Sequence, residues 1–289
     1  MRSLLLLLGL CLAQPVWARS GMSFLQLPSG ARGAALAEAG VALPDADALS
    51  ANPAALQSAS RTLGLTHGEW VQGIRHEYLS LLWGHGPRVL GLAFQLSHTG
   101  QLEQRTGPST EPLGEFGVYE GALSLAWARS WSPRLRLGLN LKLLRQSVYT
   151  ATATGAALDL GFLFQLHPDF RLGAALRQLG RMDELDQVST PLPRTLAAGL
   201  AYTGLPRLLL SGEVRRVDGS TTLHLGGEWE AASQFLLRGG YQSAEGRGLA
   251  LGLGLRREAW ALDYAFVPLA ADLGNAHRLS LHLHREGAR

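Results

Sequence analysis

"LRLGLNLKLL", residues 135–144, alternates at almost every step. Leu135, Leu137, Leu139, Leu141 and Leu143 fall on one side, and Arg136, Gly138, Asn140 and Lys142 on the other. A β-strand turns successive side chains to opposite faces, so a period of two marks a strand with one apolar face and one polar or small face. The pattern returns in "GLALGLGLRR" (residues 248–257) and "RLSLHLH" (residues 278–284). From residue 61 onward about fourteen such segments follow one another. Each has roughly the length of a tilted membrane strand, about 9–11 residues. Short turns and longer loops tend to alternate between them, as in a barrel with short periplasmic turns and longer outer loops.

A soluble β-sandwich with a leucine core would show the same alternation. The loop-length pattern and the number of leucine rows favour a membrane barrel. The fold expected is all-β: an antiparallel transmembrane β-barrel of about fourteen strands. A Lys or Arg on the lipid face near the midplane costs ~2–4 kcal/mol. Arg136, Lys142, Arg171, Arg177 and Arg278 are therefore assigned to the lumen, together with Asp159, Asp263 and His282, and the leucine rows to lipid. Trp70, Trp83, Trp131, Trp229 and Trp260 fall mostly near strand ends, where interfacial aromatic girdles sit.

Composition supports this reading. Of 289 residues, 46% are hydrophobic and only 17% charged, against ~25% charged in ordinary soluble domains. The net charge of +3 is spread along the chain rather than clustered, so no nucleic-acid surface is expected. Residues 1–18 read as a secretory signal peptide, with Arg2 ahead of the apolar run at residues 4–13 and Ala18 at the cleavage point. The single cysteine, Cys11, lies in that run. Leu10 ahead of it argues against lipidation, and processing would leave no cysteine for disulfides or metal. No cofactor is expected. His277, His282 and His284 are too few and too scattered for a metal site. No nucleophile elbow or dinucleotide fingerprint is present, so no enzymatic activity is expected.

Residues 19–60 precede the strands and lack sustained alternation. A barrel of about fourteen strands lies between the eight that side chains can fill and the sixteen that leave a channel. A plug is the expected role of this Ala/Gly-rich segment, with residues 61–289 forming the barrel. Pro53 removes an N–H and biases the preceding residues away from helix, and Asn52 can bond backbone in the resulting turn.

This segment resembles the N-terminus of PorV/PorQ-type outer-membrane proteins, within the wider FadL-like barrel superfamily. The matching elements are Gly30-Ala31-Arg32, the stretch opening at Gly33, Asp45-Ala46-Asp47-Ala48 and Asn52-Pro53-Ala54. At the other end, Leu273-Gly274-Asn275 leading into His277-Arg278 resembles the family's last hairpin. Two departures stand out: Ala55 where the family commonly has glycine, and a non-aromatic "HREGAR" ending. The resemblance implies a bacterial outer-membrane location and a hatch containing Asn-Pro-Ala. It also implies a choice of function. The main expectation is a PorV-like component of protein export of the type IX kind, with secretion-system subunits or secreted cargo as partners. The alternative is a FadL-like channel for hydrophobic small molecules. Outer-membrane lipid is a partner in either case. The inward positions named above are small or charged, which weighs against an apolar tunnel.

Overall fold

The computed structural model describes residues 20–58, 60–108, 111–271 and 273–285; the expected signal peptide lies outside them. The strands are β1 (Arg61–Glu69), β2 (Arg75–His85), β3 (Arg88–Gln104), β4 (Gly114–Ser130), β5 (Leu135–Val148), β6 (Ala151–His167) and β7 (Phe170–Met182). They continue as β8 (Thr195–Leu205), β9 (Leu208–Val217), β10 (Ser220–Ala232), β11 (Phe235–Gln242), β12 (Leu249–Arg256), β13 (Trp260–Pro268) and β14 (Asn275–Arg285). Each pairs antiparallel with its neighbours in sequence, and β1 pairs with β14 from Arg61↔Arg285 to Glu69↔His277, closing the barrel. Closure satisfies every strand edge, which a sheet in lipid requires.

The two faces separate as the alternation dictates. On β5, Leu139, Leu141 and Leu143 are 43%, 57% and 64% exposed, whereas Asn140 and Lys142 are 0% and 6%. Leucines exposed in this way form the lipid-facing band of a barrel. Connections at one end are tight: 86–87, 131–134, 168–169, 206–207, 233–234 and 257–259. Both long connections, 105–113 and 183–194, lie at the other end. Not every link at that loop end is long. Asp218-Gly219, between β9 and β10, has φ of 48° and 94°, the Asp-Gly turn that suits the twist of a two-residue hairpin.

Aromatic residues mark the ends unequally. Trp83, Trp131, Trp229 and Trp260 stand at the turn end, joined there by Trp127, which pairs across from Leu90. Trp70 does not join a girdle. It lies at the loop end, half-buried, with the Arg247 guanidinium 4.6 Å from its ring centre. There the indole serves as the face of a cation–π contact.

Residues 20–58 fill the lumen. They contain one short helix, α1 (Ala31–Ala35), and 3-10 turns at Ser23–Gln26, Ala48–Ser50 and Pro53–Ala55. Ala31, Ala35, Leu36, Val41, Ala54 and Leu56 are all buried. The barrel core is thus not side chain against side chain across an empty bore. It is the plug pressed against the inner wall.

Candidate functional site

Close approach of plug to wall is possible because the wall offers glycine there. Three cross-strand glycine pairs face inward: Gly138↔Gly161 on β5 and β6, Gly173↔Gly199 on β7 and β8, and Gly226↔Gly240 on β10 and β11. A Cβ on Gly138 or Gly161 would fall 2.3 or 2.5 Å from the Ala54 nitrogen. One on Gly173 would lie 2.2 Å from the Val41 oxygen, and one on Gly240 2.5 Å from the Ala37 nitrogen. No side chain fits at such distances, so plug backbone lies directly on strand backbone.

The Asn-Pro-Ala turn is held at the first of these pairs. Asn52 is fully buried. Its Nδ2 donates to the carbonyls of Val41 (2.7 Å) and Phe162 (3.0 Å), and its Oδ1 accepts from the Ala54 N–H (2.9 Å). One side chain thus caps the 3-10 turn, ties two parts of the plug and anchors both to β6. Pro53 occupies the first position of that turn, where its missing N–H costs nothing.

Charged residues form a second set of ties. Arg32 donates to Asp45 (2.8 Å) and through two nitrogens to Glu228 (2.8 and 3.0 Å). Glu228 pairs with Arg238 (2.6 Å), and Arg238 with Asp263 (2.7 Å). The alternating series runs from plug to β10, β11 and β13. Burial alone would lower the Arg32 pKa and raise that of Asp45. Asp45 and Glu228 outweigh burial and raise Arg32, while Arg32 in turn holds Asp45 low.

A second cluster surrounds Glu38. Arg215 of β9 donates to the Glu38 carboxylate (2.5 Å) and carbonyl (2.8 Å), and Arg247 reaches the other carboxylate oxygen (2.8 Å). Burial would raise the Glu38 pKa, but Arg215 and Arg247 hold it down at about 2. Ala37 and Glu38 both have positive φ, 49° and 66°, a conformation L-residues hold only where the surroundings over-determine it. Here His224 Nδ1 lies 2.8 Å from the Ala37 carbonyl, and Glu213 accepts from the Val41 N–H (2.9 Å). Arg247 belongs to the 243–248 loop, so this clamp joins the plug to the loop end.

The remaining expected residues sort as follows. Gly30 lies against Asp47, where a Cβ would meet Oδ2 at 1.9 Å. The Ala31 N–H donates to Ser280 (2.8 Å), and Asp47 faces His282 Nε2 at 3.0 Å. Gly33 sits in α1 with Pro28 beside it. Lys142 and Asp159 form a buried pair (2.7 Å) on the wall, and Asp159 also accepts the Gln178 N–H at a β7 bulge. Arg136 donates to the Leu56 carbonyl (2.7 Å), and Arg177 to that of Ser50. Arg171 bonds Gln165, and Arg278 is buried beside Gly68. His277 points outward to Tyr264 (2.7 Å), away from His282, and His284 faces Thr62 (3.2 Å). Among the described residues no group of side chains could hold a metal ion.

Sequence reasoning did not single out Glu38, Glu213, Arg215, Glu228, Arg238 or Arg247. Glu228 shares strand parity with the inward Gly226 and Arg238 with Gly240, while Glu213 and Arg215 alternate with the exposed Val214 on β9. The exclusion of charge from lipid would have found those four.

One part of the lumen is apolar. At the loop end, Ala122, Leu144, Ala153, Ala157 and Met182 of the wall, with Leu192, form a chamber. Met22, Phe24, Leu25 and Leu27 fill it. The expectation that lumenal positions are small or charged therefore holds at the plug's mid-level and fails above it. The inward assignments made from the sequence include neither Leu144, which ends the 135–144 stretch, nor Met182.

No protein-family model matches the chain, and no curated protein matches it. Solved structures do. The chain is similar to the toluene transporter TbuX of Ralstonia pickettii (TM-score 0.68, 14% identity, 94% of this chain and 100% of that one). It is also similar to the Pseudomonas putida toluene transporter TodX (TM-score 0.59, 12% identity, 81% and 91%). A Pseudomonas aeruginosa FadL homologue matches with TM-score 0.60 and 12% identity over 89% and 98%. At these identities the likeness is one of fold: the FadL-like, fourteen-stranded barrel of the bacterial outer membrane. The tight-turn end is periplasmic in such barrels, and the loop end extracellular.

Proposed function

We propose that the protein is a non-enzymatic outer-membrane channel for small hydrophobic molecules. The observation that carries this is the apolar chamber under the extracellular loops, occupied by the chain's own Phe24. The neighbours, described as toluene transporters and a FadL homologue, support this reading over protein export, whose support is the short PorV/PorQ-like motifs alone.

The plug divides in two under this proposal. Residues 30–56 are fixed: glycine seats, the Asn52 anchor and the Arg32 and Glu38 clusters hold them. Gly30, Ala31, Arg32, Gly33, Asp45, Asp47, Asn52, Pro53 and Ala54 have this structural role. Among the described residues, no ion pair ties residues 20–27 to the wall. Their ties are hydrogen bonds, from Gly21 to Pro191, from Gln26 to Pro193 and Thr195, and from Gln95 and Gln178 to the carbonyls of Phe24 and Leu25. A ligand entering from outside replaces Phe24 in the chamber and exchanges one apolar contact for another.

Phe24→Ala tests this. Truncating a buried Phe costs about 3–5 kcal/mol where no substitute fills the space. The variant is expected to bind toluene more tightly than the wild type, with a smaller stability loss when toluene is present. Extraction from the native envelope in mild detergent, with mass spectrometry of what co-purifies, provides the independent arm. Apolar small molecules support the channel. A stoichiometric secreted protein or translocon subunit overturns it in favour of export.

A further inference from the structure

One inward step up the wall from Gln95, which bonds the Phe24 carbonyl, lies a cavity of about 280 Å³, whose lining includes Ser97, Thr99, Leu102, Val118, Glu120 and Ile74. Ser97 pairs with Glu120, and one inward step below, Gln95 pairs with Ala122 of the Phe24 chamber. The cavity is thus the chamber's antechamber. A β3 bulge shapes it. The register shifts between Thr99 and Leu102, with Gln101 at φ 58°. The extra residue reverses strand parity and turns Leu102 inward opposite Phe116. Bulges commonly re-aim side chains in this way beside functional sites.

The lining is apolar on one side and polar on the other, where Glu120 is the one carboxylate among the described residues and Ser97, Thr99, Gln72 and His98 complete the rim. Ile74, Leu102 and Val118 supply a surface for a ring or short chain. Gln146 donates to one Glu120 oxygen (2.9 Å), which leaves the carboxylate with acceptor capacity. The Thr99 hydroxyl is buried and has no partner among the described residues. Among the described residues, no Arg or Lys lines the cavity.

We infer that this antechamber selects small apolar molecules carrying an N–H or O–H donor, amines and phenols, and disfavours carboxylates. The inference rests on the channel reading and names its substrate class. A carboxylate ligand would meet Glu120 with like charge in a partly dehydrated space, which is costly. An amine or phenol would satisfy Glu120 and Thr99 while its ring covers the leucine side. A pure hydrocarbon would leave the Thr99 hydroxyl and the remaining acceptor sites of Glu120 dehydrated with no new partner.

Calorimetric titration of the full chain in detergent separates the possibilities, with benzylamine, phenol, toluene and benzoate as probes and empty micelles subtracted. The expected order is benzylamine and phenol above toluene, with benzoate weakest and at least tenfold below benzylamine. Glu120→Leu should weaken benzylamine about tenfold and leave toluene within twofold. Thr99→Val should weaken phenol without altering toluene. Heat-modifiable migration of each variant checks that the barrel is closed. Benzoate binding as tightly as benzylamine, or Glu120→Leu leaving benzylamine unchanged, overturns the selection while toluene binding keeps the channel. Failure of all four ligands overturns both.

Discussion

Asn52 shows how much one side chain can hold. Its amide meets two carbonyls and one N–H: Val41 and Ala54 are buried, and Phe162, whose ring faces outward, contributes its main chain. Asn52→Asp keeps the shape and removes both donors, leaving a carboxylate against the carbonyls of Val41 and Phe162. Each buried group stranded in this way costs about 1–3 kcal/mol. The variant is expected to lose about 2–5 kcal/mol in denaturant unfolding, and the plug to become open to protease while the barrel remains closed. The glycine seats give a paired test. Gly173→Ala places a methyl in the Val41 carbonyl and should cost about 1–3 kcal/mol through overpacking. Gly239→Ala adds a methyl on the lipid side, where nothing lies within 4 Å, and should be neutral or slightly stabilising in the same thermal melt. Residue by residue, Asn-Pro-Ala was legible as a turn, because Pro53 and Asn52 act locally. That Asn52 also reaches Phe162, across 110 positions, was not, because nothing local encodes a distant carbonyl.

At the scale of elements, strands were the legible part. Alternation is a local, repeated signal, and lipid permits no compromise on the outward face. Plug structure was less legible. Its 3-10 turns and five-residue helix are too short for periodicity, and their conformation is imposed by the wall. The Ala37–Glu38 turn is the clearest instance: two residues with positive φ where neither is glycine, stable only within the cage of Arg215, Arg247 and His224. Two variants weigh the bars of that cage. Arg215→Ala strands Glu38 and Glu213 in a dehydrated site and should cost about 3–5 kcal/mol. Arg247→Ala removes a partner whose side chain is 24% exposed, and should cost about 1 kcal/mol. Hydrogen exchange across residues 30–56 ranks them, and a reversed order would mean that the loop, not the wall, holds the turn.

For the whole molecule, the buried charges set a pH range. Glu38 has its pKa depressed from an ordinary 4.5 to about 2, and Asp45 shifts the same way. A depressed carboxylate contributes stability fully above its unfolded pKa and loses it as pH falls through the folded value. The contribution of these carboxylates to plug docking should therefore be constant from neutrality to about pH 4.5 and weaken progressively towards pH 2. Arg32, shifted up, contributes across that entire range. Protease accessibility of the plug against pH reads this out; a loss centred near neutrality would contradict it. Composition and alternation made the closed barrel legible as a whole. They did not place an apolar chamber above a polar mid-level, since that division depends on which residues of different strands stand at one height.

The inward glycines have a consequence for assembly. They leave no clearance around the plug backbone, and the plug precedes every strand in the chain. Plug and wall therefore take their final shapes together, each serving as the other's mould. A narrower ring could not encircle residues 30–56, and a wider one would leave its notches empty. The number fourteen is in this sense a measurement that the barrel takes of its own N-terminal segment.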